Sequence, residues 1–205
     1  MNNYVQLCGE VAAPPRFSHQ SREAVYYIFP LEVARLSGAK DVLNILARKE
    51  QLEALELGPL PKLMVTGELR SFNNKTGAGN RLVITVFARQ MQLGQGPDEN
   101  QVFLRGTLCK TPNLRKTPMG REICDLLIAT ARRYGRSDYL PCITWGQKAI
   151  EATSWTVGDM VELEGRIQSR TYIKQEEGQT FEKTAFELSV IGQKKLLLPP
   201  GVVEI

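Results

Sequence analysis

Hydrophobic and polar residues alternate along several stretches of this chain, which is the pattern of β-strands with one buried face. Two of these stretches, "VQLCGEVAAPP" from residue 5 and "VFLRGTLCKTP" from residue 102, each stop at a turn that contains proline. They begin 97 residues apart (102 − 5), and the same spacing places Asn100 on Asn3 and Leu104 on Leu7. The pattern therefore predicts an internal repeat.

The two halves continue with matching elements. A second long strand, "AVYYIFPLEVAR" or "EICDLLIATARR", is followed by a short apolar run and a helical stretch, "ARKEQLEALEL" or "WGQKAIEATSW". "KLMVTGELRSF" and "DMVELEGRIQSRTY" then return to strand, and a polar turn leads to a last strand. This order is that of the OB-fold, a five-stranded Greek-key barrel. The predicted fold class is all-β, with two tandem OB-folds that each carry one short helix.

A change of composition marks the predicted boundary between the halves. The segment "LGQGPDEN", residues 93–100, combines glycine, proline and charge without any apolar periodicity, which is typical of a linker. We therefore predict a divergent first OB-fold over residues 1–93, a second OB-fold over residues 100–195 and a short tail over residues 196–205.

Four glycines lie inside predicted strands at matching places of the two halves. Gly9 matches Gly106, and Gly67 matches Gly165. A glycine inside a strand weakens it unless the backbone must bend there. We interpret the four as the points where long strands coil sharply enough to close a barrel.

The composition excludes several classes of protein. It is 42% hydrophobic and 23% charged, no apolar run approaches the roughly 18 residues of a membrane span, and "MNNYVQLCGE" lacks the layout of a signal peptide. We therefore predict a cytoplasmic protein with no membrane association. The four cysteines form no CxxC pair and His19 is the single histidine, so we predict no metal, no cofactor and no disulfide framework. One histidine and no glycine-rich phosphate loop also argue against an enzyme.

Positive charge is concentrated in one segment. The chain carries a net charge of +4, and eight basic residues between Arg105 and Arg136 stand against only Glu122 and Asp125. A solvated surface of mixed charge is the ordinary explanation, and a surface that binds a polyanion is the functional one.

Four motifs of the second half stand in a fixed order: "NQVFLRGTL", "TPNLRKTPMGREICDLLIATARR", "ITWGQKA" and "VELEGRIQSRTY". Their order and spacing resemble those of the bacterial single-stranded DNA-binding proteins, and the resemblance covers nearly all of residues 100–195. The first half matches the same pattern only faintly. The resemblance implies a nucleoid-associated protein that binds and protects single-stranded DNA without sequence specificity during replication, recombination or repair.

The resemblance also implies which residues bind. Members of the family place stacking aromatic residues at four positions, which this sequence fills with Tyr134, Tyr139, Trp145 and Tyr172. The alternative is that these rings belong to the barrel core, as most strand aromatics do. Cations expected along the phosphate track border the rings or share a strand face with them: Arg115, Lys116, Arg121, Arg132, Arg133, Arg136, Arg170 and Lys174.

The first half departs from this pattern. Its corresponding positions hold Ser37, Val42, Arg48 and residues 72–74, where Phe72 is the one ring, so we predict a mainly structural barrel that pairs with the second. Covalent linkage favours such pairing by raising the effective concentration of the halves. The resemblance further implies a homo-oligomer, a dimer of two-barrel chains. The ending "KKLLLPPGVVEI" lacks the acidic recruiting tail usual in the family, which favours an accessory or mobile-element version.

Two hypotheses from different classes follow. The first is a module that coats single-stranded DNA by base stacking and phosphate contacts. The second is a primosome-type component or another OB-fold scaffold for protein interactions, in which the basic segment only maintains solubility. Exposed rings and binding of unstructured oligonucleotides would favour the first.

Overall fold

The computed structural model describes residues 2–55, 61–74, 82–132, 135–176 and 179–197. The strands and helix of the first half are β1 (Asn3–Val11), β2 (Arg16–Ser21), β3 (Ala24–Ala34), β4 (Lys40–Arg48), α1 (Lys49–Glu53), β5 (Lys62–Asn73) and β6 (Leu82–Leu93). Those of the second half are β7 (Glu99–Leu108), β8 (Asn113–Lys116), β9 (Glu122–Ala131), β10 (Ser137–Trp145), α2 (Gln147–Ala152), β11 (Met160–Glu176) and β12 (Gln179–Lys195).

Each half closes into a barrel of five long strands. In the first half the hydrogen-bonded order β3-β4-β6-β5-β1 is closed by pairing of β1 with β3, and Ile45 lies opposite Val86 in the parallel pair β4–β6. The second half repeats this with β9-β10-β12-β11-β7, closed by β7–β9, and Cys142 lies opposite Leu188. The predicted fold class of two tandem OB-folds is confirmed. The short strands β2 and β8 extend each barrel's first hairpin.

The cores form because alternate residues of each strand point into the barrel. In β4, for example, Leu43, Ile45 and Ala47 are buried, while their neighbours face outward or are half-buried. In the second barrel Trp155, which follows α2, is also buried in the core. The outward positions of each barrel consequently carry polar residues together with some exposed apolar and aromatic ones.

The four repeated glycines lie where two strands cross at close range. An added Cβ would lie 2.1–2.3 Å from a carbonyl oxygen of the crossing strand at every one of them (Gly9, Gly67, Gly106 and Gly165). The ladders β5–β6 and β11–β12 also shift register at Gly67 and Gly165. Glycine is required there because any side chain would displace the neighbouring backbone.

The barrels are joined into one twelve-stranded sheet through β1 and β7. These strands pair antiparallel, with Val5 opposite Val102 and Gln6 opposite Gln101. Asn3 lies opposite Leu104, and the equivalent residues of the other half, Leu7 and Asn100, also lie opposite each other. The seam therefore has the approximate twofold symmetry of an interface between two like subunits.

The repeated asparagines bind their own barrels at the ends of this seam. The Asn3 side chain accepts a hydrogen bond from Leu69 N at 2.9 Å and donates one to Leu69 O at 2.7 Å. Asn100 makes the same two bonds with Ile167, at 3.0 and 2.7 Å. Each side chain thus satisfies backbone groups that the neighbouring strand does not reach, as buried polar groups require.

Two buried aspartates connect the barrels, and we name each set a clasp. In the first clasp, Asp41 pairs with Arg35 at 2.6 Å and accepts bonds from Ser169 N and Oγ at 2.7 and 2.8 Å. In the second clasp, Asp138 pairs with Arg132 and Arg70 and accepts a bond from Ser71 N at 2.5 Å. Both aspartate side chains are fully buried.

The first clasp should make stability depend on acid. Burial opposes ionisation of Asp41, but hydrogen bonds from Arg35 and Ser169 outweigh it and hold the pKa of Asp41 below its ordinary value. A carboxylate of lowered folded pKa contributes stability above its unfolded pKa of about 3.9, and that contribution is lost as the pH falls through the folded pKa. We expect the stability advantage of the wild type over Asp41→Asn, measured by denaturant unfolding, to shrink below about pH 4. A gap that stayed constant down to acid pH would contradict this.

Candidate nucleic-acid interface

The outward face of the second barrel carries two of the predicted rings on β10. Tyr139 is 49% exposed and Trp145 37% exposed, while the alternating residues Leu140 and Cys142 are buried in the core. Pro141 does not break the strand, because the ladder to β9 continues through it. Tyr139 and Trp145 therefore share the outer face, and the alternative that they are core residues is wrong.

The Trp145 ring is held in place at its polar edge. Its Nε1 donates a hydrogen bond to Ser189 Oγ of β12 at 3.3 Å, and Ile123 of β9 lies opposite it in the ladder. A ring fixed in this way loses little conformational freedom when a flat partner stacks on it. Trp145 is thus oriented before any ligand arrives.

A third ring lies on the long hairpin of β11 and β12. Tyr172 is half-buried, and the guanidinium of Arg170 lies 5.7 Å from the centre of its ring. Arg170 is in turn 3.4 Å from Glu187, a buried carboxylate that also accepts a bond from Gln168 at 3.2 Å. Glu187 therefore positions Arg170 beside Tyr172.

The β8–β9 hairpin carries three of the predicted cations. Arg115 donates two hydrogen bonds to Asp125, at 2.6 and 3.0 Å, and is partly neutralised. Lys116 lies 4.0 Å from Glu122 with 70% of its side chain exposed, and Arg121 is also exposed. Lys116 and Arg121 are consequently the cations of this hairpin most available to a ligand.

Arg132 has a different place from the one predicted. Its guanidinium donates to Asp138 and, at 2.9 Å, to the carbonyl oxygen of Ser71 in the first barrel. Because these acceptors already occupy it, Arg132 is a structural residue of the second clasp rather than a free cation beside the rings. Arg136 is exposed but faces a groove shared with the first barrel. Arg133, Tyr134 and the side chain of Lys174 lie outside the described residues.

Sequence reasoning missed an aromatic cluster on the first barrel. His19 stacks on Tyr26 with ring centres 4.8 Å apart, and Tyr26 lies 6.0 Å from Phe87. Arg89 and Arg70 lie over the Phe87 ring at 4.9 and 5.8 Å. The cluster occupies positions other than the four family positions, since Tyr26 is the counterpart of Ile123. The sequence contains one indication of this cluster, because strand alternation places Tyr26 on the outward side of β3.

The described residues offer little for catalysis. Burial raises the pKa of Cys124 and Cys142, and also that of the half-buried Cys109, so these thiols stay protonated near neutral pH. The described ranges contain no group of His, Cys, Asp or Glu able to hold a metal ion, and no helix long and apolar enough to cross a membrane.

Comparison with known proteins agrees with this geometry. The model of the "Single-strand binding protein family" matches residues 99–192. Residues 99–192 of this chain are therefore similar to members of that family. Proteins of the family bind DNA and are not enzymes, in line with the sequence prediction.

Relatives in the family are about 30% identical to this chain over the segments that align. A single-stranded DNA-binding protein of Clostridium tetani is 32% identical over 80 residues, which cover 36% of this chain and 55% of that protein. Single-stranded DNA-binding protein 2 of Listeria innocua is 31% identical over 108 residues, covering 49% of this chain and 65% of that protein. The chain thus spans only part of the length of these relatives.

A solved structure extends the likeness to both barrels. The wild-type single-stranded DNA binding protein from Thermus aquaticus superimposes with a TM-score of 0.78, covering 98% of this chain and 96% of that chain. Its sequence is 21% identical, so the likeness concerns the fold. The arrangement of two barrels in one chain is therefore one that a crystal structure also contains.

Proposed function

We propose that this chain binds single-stranded DNA without sequence specificity through residues 100–195. Unpaired bases stack on Tyr139, Trp145 and Tyr172, and phosphates are contacted by cations around them. The described cations of this surface are Arg115, Lys116, Arg121 and Arg170. Tyr134, Arg133 and Lys174 are assigned to the same surface by the family resemblance alone.

The observation that carries the proposal is the exposure of Tyr139 and Trp145 on one outward face of the second barrel. Bases in a duplex are already stacked on one another, whereas every unpaired base has a free π-face that an aromatic ring can cover. Trp145 is held by Ser189, and Tyr172 by its contact with Arg170. Stacking discriminates little between bases, so this surface suits a ligand of any sequence.

The charge around the rings supports a polyanionic ligand. Lys116 and Arg121 are exposed at the β8–β9 hairpin, and Arg170 is half-exposed beside Tyr172. Cations that replace counterions on a single strand make affinity fall with salt, with a slope of roughly 0.7 per contact. A protein partner with an acidic surface could also bind these cations, but its binding would not explain why the rings are exposed.

Titration with oligo-dT, followed by tryptophan fluorescence at several salt concentrations, tests this proposal. The chain has two tryptophans, and Trp155 is buried in the core, so quenching should come from Trp145. Quenching that weakens as salt rises supports the proposal. No quenching and no association at low salt would overturn it in favour of the protein-interaction scaffold.

Trp145→Ala should weaken binding of oligo-dT by about 1 to 3 kcal/mol, roughly five- to 150-fold in Kd, because one base stack is lost. The ring is on the outer face, so the midpoint of denaturant unfolding should change little. Ile150→Ala, an uncharged exposed residue of α2, is the matched control and should leave Kd unaltered. Fluorescence anisotropy of a labelled oligonucleotide measures all three proteins. If Trp145→Ala leaves Kd unchanged and lowers stability, the ring packs the barrel and does not stack on bases.

The cellular role and the assembly follow from the same proposal. We propose that the protein protects single strands exposed in replication, recombination or repair, and that two chains pair. Light scattering would then give twice the chain mass of 23.0 kDa. A monomer at the same concentration would contradict the pairing while leaving the DNA-binding proposal intact.

A further inference from the structure

One edge of β10 is without a partner strand of its own barrel where it carries Tyr139. In the described part of the chain, β10 pairs with β12 only at Cys142 and Ile143, whereas its ladder to β9 runs from Ser137 to Trp145. A backbone N–H at such an edge needs an acceptor from elsewhere in the protein or from water. The amide of Tyr139 is in this position.

Ser71 of the first barrel supplies the acceptor. Its Oγ accepts a hydrogen bond from Tyr139 N at 2.7 Å, although the two residues are 68 positions apart in sequence. Ser71 lies in β5 and is 7% exposed, so water competes little for this bond. The backbone that carries the Tyr139 ring is therefore held by a side chain of the other barrel.

Ser71 is itself fixed by the second clasp. Its backbone N–H donates to Asp138 at 2.5 Å, and its carbonyl oxygen accepts a bond from Arg132 at 2.9 Å. Both partners belong to the second barrel, and the Asp138 side chain is fully buried. The backbone N–H, the carbonyl oxygen and the hydroxyl of Ser71 thus all bond to the second barrel, and the hydroxyl bonds to the residue that follows Asp138.

The first clasp has the same residue types in a different arrangement. Ser169 is the counterpart of Ser71, and its hydroxyl donates to Asp41 at 2.8 Å. The residue after Asp41, at the position that corresponds to Tyr139, is Val42. The serine hydroxyl therefore bonds to backbone in the clasp where a ring follows the aspartate, and to the carboxylate in the clasp where an aliphatic residue follows it.

We propose that Ser71 is a positioning residue for base stacking on Tyr139. The inference rests on the proposed function, which assigns stacking to this ring, and Ser71 itself contacts no DNA. Because the backbone of Tyr139 is held, less conformational freedom is lost when a base stacks on the ring. The first barrel then raises the affinity of the second for a single strand through the clasp.

Ser71→Ala tests this role because it removes the hydroxyl and keeps the backbone groups that bond to Asp138 and Arg132. We expect Kd for oligo-dT, measured by fluorescence anisotropy, to rise about two- to tenfold, the effect of ordering one side chain. In a Tyr139→Ala background the same change should leave Kd unaltered, because the ring that Ser71 positions is absent. Ser169→Ala removes the equivalent hydroxyl and is the matched control, which should leave Kd unaltered in both backgrounds.

Amide hydrogen exchange at Tyr139 gives a second readout, which needs no DNA. In the wild type this amide should be protected, and in Ser71→Ala it should exchange faster. The amide of Cys109, which bonds to Leu127 O within the second barrel at 2.8 Å, should exchange at the same rate in both proteins. A change confined to Tyr139 separates loss of this one bond from a general loss of stability.

Three results would overturn the inference. One is an unchanged Kd in Ser71→Ala, or an equal rise with and without the Tyr139 ring, since a general loss of stability acts alike in both backgrounds. Another is an unprotected Tyr139 amide in the wild type, which can be observed even if the variant does not fold. The third is a Tyr139→Ala variant that binds like the wild type. Failure of the proposed function is a different result, namely no quenching of Trp145 and no association of oligo-dT with the wild type.

Discussion

Gly165→Ala is expected to destabilise the second barrel by at least about 3 kcal/mol, or to prevent it from folding. The added methyl group would lie 2.1 Å from Ser189 O and 2.9 Å from the attached carbonyl carbon. Both atoms belong to backbone at the register shift between β11 and β12, so no rotamer change can make room. The strand β12 would have to move outward, and the hydrogen bond from Trp145 Nε1 to Ser189 would be strained or broken.

Gly192→Ala is the matched control on the same pair of strands. A Cβ there would meet Glu164 Oε2 at 3.4 Å and its Cβ at 3.5 Å, which are ordinary van der Waals contacts. We expect a change in the free energy of unfolding within about 0.5 kcal/mol. Thermal unfolding should separate the two variants clearly, since 3 kcal/mol corresponds to a shift of about 12 °C or more in Tm for a domain of this size. Equal Tm values would show that the backbone at Gly165 and Ser189 has room for a methyl group, which would contradict this prediction.

Asp138→Ala should cost about 3 to 5 kcal/mol, because it removes one side of a buried, hydrogen-bonded charge cluster. The variant would leave Arg132, Arg70 and Ser71 N without their shared acceptor. These residues come from both barrels, so the loss should appear as weakened cohesion between the halves as well as lowered stability. Denaturant unfolding monitored by far-UV circular dichroism would report the total loss. A biphasic curve would indicate that the barrels have become independent.

Asp125→Ala provides the comparison at the surface. Asp125 also pairs with an arginine at 2.6 Å, but both side chains are about 40% exposed, and exposed pairs contribute about 1 kcal/mol or less. A cost for Asp138→Ala no greater than that for Asp125→Ala would mean that the second clasp does not stabilise the barrels. The first clasp, around Asp41, offers an internal repeat of the same measurement.

Much of the fold could be predicted because it depends on local patterns that occur twice. Strand alternation, the glycines within strands and the helix before the last two strands together indicate an OB-fold, and the spacing of 97 residues identifies the second copy. Asn3 and Asn100 were recognised as repeated but not explained. Their role became visible only in the contacts with Leu69 and Ile167, which lie 66 and 67 residues away in sequence.

In the candidate site, the sequence predicted the positions of the rings on β10 better than the role of Arg132. Tyr139 and Trp145 could be placed on one face because parity along a strand is a property of the strand itself. Arg132 was misplaced because its charge was treated as free, whereas Asp138 and Ser71 use its donors. The position of Arg132 in the sequence, beside other cations, carried no sign of that pairing.

The chain's own pattern of residues established two barrels, their order of elements and an outward face on β10, because each follows from the periodicity of neighbouring residues. The two clasps and the cluster of His19, Tyr26 and Phe87 depended on the folded arrangement. They join side chains from different strands and different barrels, and which of these meet is fixed by strand register and barrel curvature. The β5–β6 and β11–β12 ladders shift register at Gly67 and Gly165, and a different register beyond these points would move Ser71 and Ser169 away from the aspartates of the clasps.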